Sequence, residues 1–277
     1  MTEDILELRR PAAELAPFVF GFVRRRDNRG GAVVRLLPEA RASIQIFRAD
    51  PYWVREDEGP WREVPRAAIW GPRLTPGFGY ARSALDVYAA GLTPAGVRAL
   101  CGRPQADYFE AHAPPPEGAV ANAAVCAFDP ALGFDDWIAI ISDAWRACVA
   151  TAPAPPPIAT AAEAFPVDEP IAEVAARFGY SERHFRRAFA AEFGAAPKAW
   201  QRVRRFDEIL KRLHPRPWER PSGDDAADAF ADQAHLIREF CAFAGVTPAA
   251  YARDKRQSGD RILRSIVVDG VAPPLAG

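Results

Sequence analysis

The sequence predicts an α+β protein in which a β-rich amino-terminal domain is followed by an all-α domain. Short strand patterns separated by turn residues run through positions 1–130, whereas apolar residues recur at helical spacing beyond position 164. Between them lies an alanine- and proline-rich segment, which cannot continue a helix and favours an extended spacer. We therefore divide the chain into a β-rich domain at 1–150, a linker at 151–163, a helical domain at 164–256 and a tail at 257–277.

The β-rich domain is predicted from alternating side chains and from turn residues. Residues 43–47 alternate polar and apolar side chains, as does part of 85–88, and glycine and proline pairs separate such runs. A short helix is expected at 93–100, and a longer one at 134–149. The longer helix carries an apolar stripe of Trp137, Ile138, Ile141, Trp145 and Cys148. Such a stripe is usually core, and a dimer-forming face is the alternative.

Composition excludes several classes of protein. The 35 basic and 36 acidic side chains nearly cancel, so the net charge of −1 indicates no partner by itself. No apolar run approaches the ~18 residues of a membrane span and the first residues are not a signal peptide, so we expect a cytoplasmic protein. Four cysteines without a CxxC pair are expected to be free thiols. Because the first 130 residues contain a single histidine, His112, we expect neither a metal nor a cofactor.

A helix, a tight turn and a second helix are predicted at the start of the helical domain. Gly179 can adopt the left-handed conformation that ends the first helix, and Ser181 is a good N-cap for the second. One face of the second helix is apolar, with Phe185, Ala188, Phe189 and Phe193. The other face carries Arg183, Arg186 and Arg187. This spacing is that of a helix-turn-helix.

The second helix and its exit are repeated 51 positions later. The matched pairs are Ser181 and Asp232, His184 and His235, Phe185 and Leu236, Arg187 and Arg238, Phe189 and Phe240, Gly194 and Gly245, Pro197 and Pro248, and Trp200 and Tyr251. We interpret them as two copies of one supersecondary unit. An amphipathic helix at 197–213, roughly 25 Å long, would place two recognition helices in successive major grooves about 34 Å apart.

Charge differs between the two copies. Positions 177–220 contain twelve Lys/Arg and five Asp/Glu, whereas positions 221–256 contain four and six. The first copy is therefore a cationic patch suited to DNA phosphates, and the second is not.

These residues resemble the DNA-binding domain of the AraC/XylS family of bacterial transcription regulators. The matching stretches are 171–189 and 230–240, followed by Gly245, Pro248 and Tyr251. The resemblance implies a sequence-specific transcription regulator that binds double-stranded DNA at promoters through two helix-turn-helix units. The base-reading candidates that it implies are Arg183, Arg186 and Arg187 in the first copy, and Gln233 and Arg238 in the second. Phosphate-contact candidates are Ser181, His184, Lys198 and His235, although Ser181 is expected chiefly to cap.

The second copy departs from the family pattern. Prolines and acidic residues fill 214–229, where an apolar support helix is usual, and Ala234 and Ile237 occupy base-facing positions. We therefore expect the first copy to dominate DNA affinity, with one specific pair from Arg238 in the second. The alternative function is a protein-interaction regulator whose degenerate second helix-turn-helix no longer reads DNA.

The first domain resembles the cupin-like small barrels that sense ligands or mediate dimerisation in this family. The resemblance implies a homodimer and a small-molecule effector. Ligand-pocket candidates are Arg41, Gln45, Trp53, Trp70 and Tyr88, and the alternative for each aromatic is to fill the barrel interior.

An enzyme is the remaining alternative, such as a DNA-repair methyltransferase with a module of this type. That chemistry needs an activated cysteine, and Cys101 is the nearest candidate. We expect no enzymatic activity. The apolar stretch 266–268 in the tail is expected to dock as a short strand on the body of the protein.

Overall fold

The first half of the chain folds into antiparallel strands and the second half into helices, as the sequence predicts. The computed structural model describes residues 5–27, 30–126, 129, 131–161, 166–213, 233–258, 266–268 and 270–274. The strands are β1 (Ile5–Arg9), β2 (Val19–Asp27), β3 (Val33–Leu36), β4 (Ala42–Phe47), β5 (Tyr52–Glu56), β6 (Arg62–Glu63), β7 (Ala67–Trp70), β8 (Gly77–Ala81), β9 (Leu85–Leu92), β10 (His112–Ala113) and β11 (Ile266–Val267). The helices are α1 (Pro94–Cys101), α2 (Asn122–Cys126), α3 (Phe134–Val149), α4 (Pro157–Ala161), α5 (Ile171–Arg177), α6 (Glu182–Phe193), α7 (Pro197–Leu213), α8 (Gln233–Ala244) and α9 (Pro248–Ser258), with a 3-10 helix at Gln105–Tyr108.

Two antiparallel sheets form the β-rich half. The first has the strand order β1-β2-β9-β4-β7-β10, and the second has the order β11-β3-β8-β5-β6. Phe47 and Val87 of the first sheet pack in one cluster with Tyr52 and Val54 of the second. Alternation along β4 and β9 therefore directs one face of the first sheet toward the second sheet and the other toward the helices.

Helix α3 covers the helical face of the first sheet. Trp137, Ile141 and Trp145 are buried there against Ile44 and Phe22. The apolar stripe that the sequence shows on this helix is thus core, and it is not a dimer-forming face.

The linker differs from the extended spacer that its composition predicts. Residues 157–161 form α4, which begins at a proline; Ala159 is buried, and Ile158 is buried with the aromatic residues of the helical half. Proline is well tolerated in the first turn of a helix, and the burial of an isoleucine side chain offsets the cost of ordering one helical turn.

The tail returns to the first half of the chain. Ile266 pairs with Arg35 of β3 and Val267 with Val34, so the apolar stretch 266–268 docks as the predicted short strand. Ile266 is also buried against Phe206 and Phe240 of the helical half. Within the described residues, no helix is both long and apolar enough to cross a membrane.

Candidate DNA interface

The turn between α5 and α6 is set by two residues. Gly179 has a φ of +70°, in the left-handed region that favours glycine. The Ser181 hydroxyl accepts a hydrogen bond from the His184 amide at 3.3 Å, which caps α6. Ser181 is therefore positioned as a cap.

A buried aromatic face fixes the orientation of α6. Phe185, Phe189 and Phe193 are fully buried, and the last two pack against Trp200 of α7 with ring centroids 5.8 and 5.2 Å away. Because one face of α6 is buried in this way, its opposite face points toward solvent. That outward face carries the predicted Arg183, Arg186 and Arg187, all exposed.

The three arginines differ in their surroundings. Arg186 Nε donates to Glu182 Oε1 at 2.8 Å, one helical turn earlier. Arg183 and Arg187 flank this ion pair, and the four side chains line one shallow concavity. A guanidinium presents parallel N–H donors that match guanine O6 and N7 or a phosphate. His184 is exposed with its ring centroid 4.7 Å from that of Tyr180, and Lys198 is exposed near the first turn of α7.

The second copy reproduces the packing of the first. Helix α8 begins and ends 51 positions after α6, and the glycines that follow, Gly194 and Gly245, have φ values of +77° and +74°. The ring centroids of Phe240 and Tyr251 lie 5.7 Å apart at 72°. Those of Phe189 and Trp200, the corresponding pair, lie 5.8 Å apart at 80°. The predicted internal repeat is therefore a repeat of structure.

The outer face of α8 is only partly described. Arg238 is exposed, and Ile237 beside it is 44% exposed. The side chains of Gln233 and His235, together with Asp232 and the whole of 214–229, lie outside the described residues.

The structure adds contacts that sequence reasoning missed. Arg98 of α1 donates from Nε to both carboxylate oxygens of Glu192, at 2.8 and 2.9 Å, and these bonds raise the pKa of Arg98. Glu192 is buried near the end of α6. In the second copy, Arg35 Nε donates to the carbonyl oxygen of Phe243 at 3.2 Å. Helices α6 and α8 thus both contact the β-rich half near their carboxyl ends.

One signal in the sequence points to the first of these contacts. Glu192 lies beside Phe193 on the apolar side of α6, and the 51-residue shift aligns it with Phe243. A carboxylate at a position that is aromatic in the other copy needs a cationic partner when it is buried. The position of that partner, almost a hundred residues upstream, is not visible in the sequence.

The five ligand-pocket candidates do not share one pocket. Tyr88 pairs with Ile46 and faces α3, whereas Trp70 pairs with Ser43 on the opposite face of the same sheet. Gln45 shares the Trp70 face, where its amide donates to Ser43. Trp53 is adjacent in sequence to the inward-facing Tyr52, so it points away from the space between the sheets. Arg41 lines a cavity elsewhere, between the β-rich half and α7.

Cys101 and His112, the two groups considered for catalysis or metal binding, are both uncharged near neutral pH. Burial raises the pKa of the Cys101 thiol to about 12, so its thiolate is scarce near neutral pH. Burial and the charge of Arg73 lower the pKa of His112 to about 3, which keeps that imidazole neutral. Cys101 therefore lacks the activation that a methyltransferase nucleophile requires.

Comparison with known proteins agrees with this geometry. Residues 174–254 match the family model of a helix-turn-helix domain. A search of curated proteins gives no match.

Solved structures match this chain at low sequence identity, and one of them reaches a TM-score of 0.50. An apo variant of ToxT from Vibrio cholerae is 8% identical, with 88% of this chain and 99% of that chain covered and a TM-score of 0.50. ToxT with an unsaturated fatty acid bound is 9% identical over 83% and 94%, with a TM-score of 0.47. The AraC-like transcriptional activator CuxR is 11% identical over 76% and 96%, with a TM-score of 0.26.

The chain therefore contains a helix-turn-helix domain at residues 174–254, and its overall fold, with a β-rich first half, is similar to that of ToxT. Within this domain, α6 and α7 are repeated in order by α8 and α9, 51 positions later.

Proposed function

We propose that this protein is a sequence-specific transcription regulator that binds promoter DNA chiefly through α6. The observation that carries the proposal is the outward arginine face of α6, held in place by the buried rings of Phe189 and Trp200. A rigid helix with exposed guanidiniums is what major-groove readout requires. No enzymatic activity is part of this function.

Binding begins with the phosphates. The cationic surplus of 177–220 attracts the duplex and releases counterions, which makes affinity dependent on salt. The capped amino terminus of α6, with exposed His184 nearby, then faces a phosphate, and Lys198 adds a second backbone contact. Arg183 and Arg187 read base edges. Arg186 does so after exchanging its bond with Glu182 for one to DNA.

Two further properties belong to the proposal. Association of two copies through the β-rich half would double the DNA site, and the side chains of Phe20 and Ile140, 43% and 47% exposed, provide apolar surface for it. A small-molecule effector acting on the β-rich half would then alter DNA binding.

Fluorescence anisotropy on a labelled duplex from upstream of the gene tests DNA binding. A scrambled duplex is the competitor, at about 50 to 200 mM salt. The pair of substitutions Arg183→Ala and Arg187→Ala should weaken specific binding at least tenfold, because each bidentate contact contributes about 1–3 kcal/mol. Arg62→Ala, at an exposed arginine on β6, is the matched control and should change affinity less than twofold. Equal binding of the wild type and the double variant would refute the proposal.

The interaction alternative has one observation in its favour, the exposed Ile237 in the second copy. Its position corresponds to Arg186 in the first copy. If the second copy binds a protein, Ile237→Arg will abolish binding of that protein and will leave DNA affinity unchanged or increase it.

A further inference from the structure

We infer that the outer face of the second sheet is a docking surface for a proline-rich segment of a partner protein, and that the tail of this chain occupies that surface in the free protein. The inner face of the sheet packs against the first sheet through Tyr52 and Val54. Trp53 and Arg55 alternate with them along β5 and therefore point outward. The inference stands apart from DNA binding, because no part of it involves α6 or α8.

Aromatic rings and a guanidinium cover this outer face. Tyr80 lies opposite Trp53 in the sheet and Phe78 lies opposite Arg55, so these four side chains share one side. Trp61, just before β6, meets Tyr80 edge-on with ring centroids 6.3 Å apart. The Arg55 guanidinium lies 5.4 Å from the centre of the Trp61 ring and 5.0 Å from that of Phe78. The four rings, each partly exposed, form what we call the aromatic platform.

The tail reaches the aromatic platform from the opposite edge of the sheet. Strand β11 pairs with β3 at one edge, whereas Trp61 precedes β6 at the other. Gly270, at a φ of +77°, turns the chain after β11. The indole N–H of Trp61 then donates to the carbonyl oxygen of Ala272 at 3.0 Å. Because Trp61 contacts the outward ring of Tyr80, the tail lies against the outer side of the sheet.

The tail segment has the features of a polyproline II helix. Proline fixes its own φ and restricts the preceding residue to extended conformations, so Pro273 and Pro274 favour this helix. With three residues per turn, Val271 and Pro274 fall on the same side. These two residues are partly buried, whereas Ala272 and Pro273 between them are exposed. The pattern of burial is that of a polyproline II helix resting on a surface by one side.

The chemistry of the aromatic platform selects the same kind of ligand in a partner. Surfaces lined with aromatic rings are the usual receptors for proline-rich segments, which are already extended and lose little conformational entropy on binding. The tail is tethered at millimolar effective concentration, so even a weak contact keeps it in place. A partner segment of nine residues spans roughly 28 Å as a polyproline II helix, and it can cover more of the platform than the four tail residues do. Such a segment displaces the tail.

Fluorescence anisotropy with the full chain and a labelled peptide tests the docking surface. The probe is the tail motif in three copies, (Ala-Pro-Pro)3, and (Ala-Gly-Ser)3 is the control peptide of equal length. The double substitution Pro273→Ser with Pro274→Ser weakens the competing tail, so this tail variant should bind the probe at least fivefold more tightly than the wild type does. Absence of saturable binding to the tail variant, at an unchanged thermal unfolding transition, would overturn the inference. Equal binding of the two peptides would do the same.

Two substitutions in the tail variant assign the binding to the aromatic platform. Trp61→Phe keeps a ring and removes the N–H donor, and it should weaken the probe at least fivefold. Tyr80→Leu removes the ring that Trp61 contacts and should have a similar effect. Phe20→Leu, at an exposed ring on the first sheet, is the matched control and should bind as the tail variant does. Unchanged affinity in both Trp61→Phe and Tyr80→Leu would overturn the assignment.

The tail of a second copy is the competing occupant. Exchange of tails between two copies would produce a dimer that sedimentation velocity detects and that the tail variant loses. We expect the same sedimentation coefficient for the wild type and the tail variant, and loss of a dimer in the tail variant would overturn the assignment to a partner protein. Because none of these measurements contains DNA, their failure is distinct from a failure of the proposed function.

Discussion

Helices α6 and α8 have the same packing and differ in the surface that they present. Both are twelve residues long, and both are followed by a left-handed glycine and a proline-started helix with a buried aromatic ring. The outward residues Arg183, Arg186 and Arg187 of α6 correspond to Ala234, Ile237 and Arg238 of α8. Three cations in one copy thus face one in the other. The repeat preserves what folding requires, and the exposed positive charge is concentrated in the first copy.

The copies also differ where they meet the β-rich half. Arg98 forms a charged pair with the buried Glu192 of α6, whereas Arg35 donates to a backbone carbonyl of α8. The first contact is bidentate and the second is a single hydrogen bond. Helix α6 is therefore the more firmly attached of the two.

The largest expected effect tests whether the two cores are equivalent. Phe189→Ala and Phe240→Ala each remove a fully buried ring, so each should lower the free energy of unfolding by about 3–5 kcal/mol. Urea denaturation followed by circular dichroism measures both. Losses that differ by more than about 2 kcal/mol would contradict the structural equivalence of the copies, since both rings are fully buried and the corresponding pairs Phe189–Trp200 and Phe240–Tyr251 have nearly the same geometry.

The next comparison concerns Gly194 and Gly245, the glycines that follow α6 and α8. In Gly194→Ala, the new methyl group would lie 2.5 Å from Phe109 Cβ, and the backbone φ is +77°. Overpacking and backbone strain together should lower the free energy of unfolding by about 2–4 kcal/mol. In Gly245→Ala, the nearest atom, 3.1 Å away, belongs to the Arg35 side chain. Because that side chain can move, we expect the free energy of unfolding to fall by only about 1–2 kcal/mol. Thermal and urea unfolding of the two variants measure the difference. A larger loss for Gly245→Ala would reverse our ranking of the two contacts.

The smallest of the three effects compares the two arginine contacts. Arg98→Ala leaves the buried carboxylate of Glu192 without its partner, and because Arg98 is itself 37% exposed we expect a loss of about 2–3 kcal/mol. Arg35→Ala removes one hydrogen bond to a carbonyl, with a loss of about 1–2 kcal/mol. The double variant Arg98→Ala with Glu192→Gln should recover part of the first loss, because no buried charge remains. Failure of Glu192→Gln to restore any stability would show that charge is not what this contact contributes.

Local signals account for what the sequence predicted well. Ser181 and Gly179 set the first turn through their own backbone preferences, and the 51-residue shift transfers the assignment to the second copy. The strand at 266–268 follows from a short apolar run that must be buried somewhere. These features depend on a few neighbouring residues, so a single sequence suffices for them.

The remaining features depend on contacts between distant residues. Alternation along β9 does not reveal which face of the sheet Tyr88 occupies, and for that reason the predicted pocket combined residues from opposite faces. The linker helix at 157–161 forms because Ile158 has a hydrophobic cluster to enter. A hydrogen bond joins Trp61 to Ala272, and no local pattern relates an indole to a carbonyl 211 positions later.

The central claim, that the first copy carries DNA affinity, is tested most directly by comparing Arg187→Ala with Arg238→Ala. The two arginines occupy equivalent exposed positions on α6 and α8, so each variant is the other's control. Fluorescence anisotropy on the upstream duplex at about 150 mM salt gives both affinities, and the scrambled duplex gives the nonspecific background. We predict that Arg187→Ala weakens specific binding about tenfold or more, consistent with the loss of a bidentate base contact, and that Arg238→Ala weakens it less than threefold. Equal losses from the two substitutions would contradict the claim and would assign DNA reading to both copies alike.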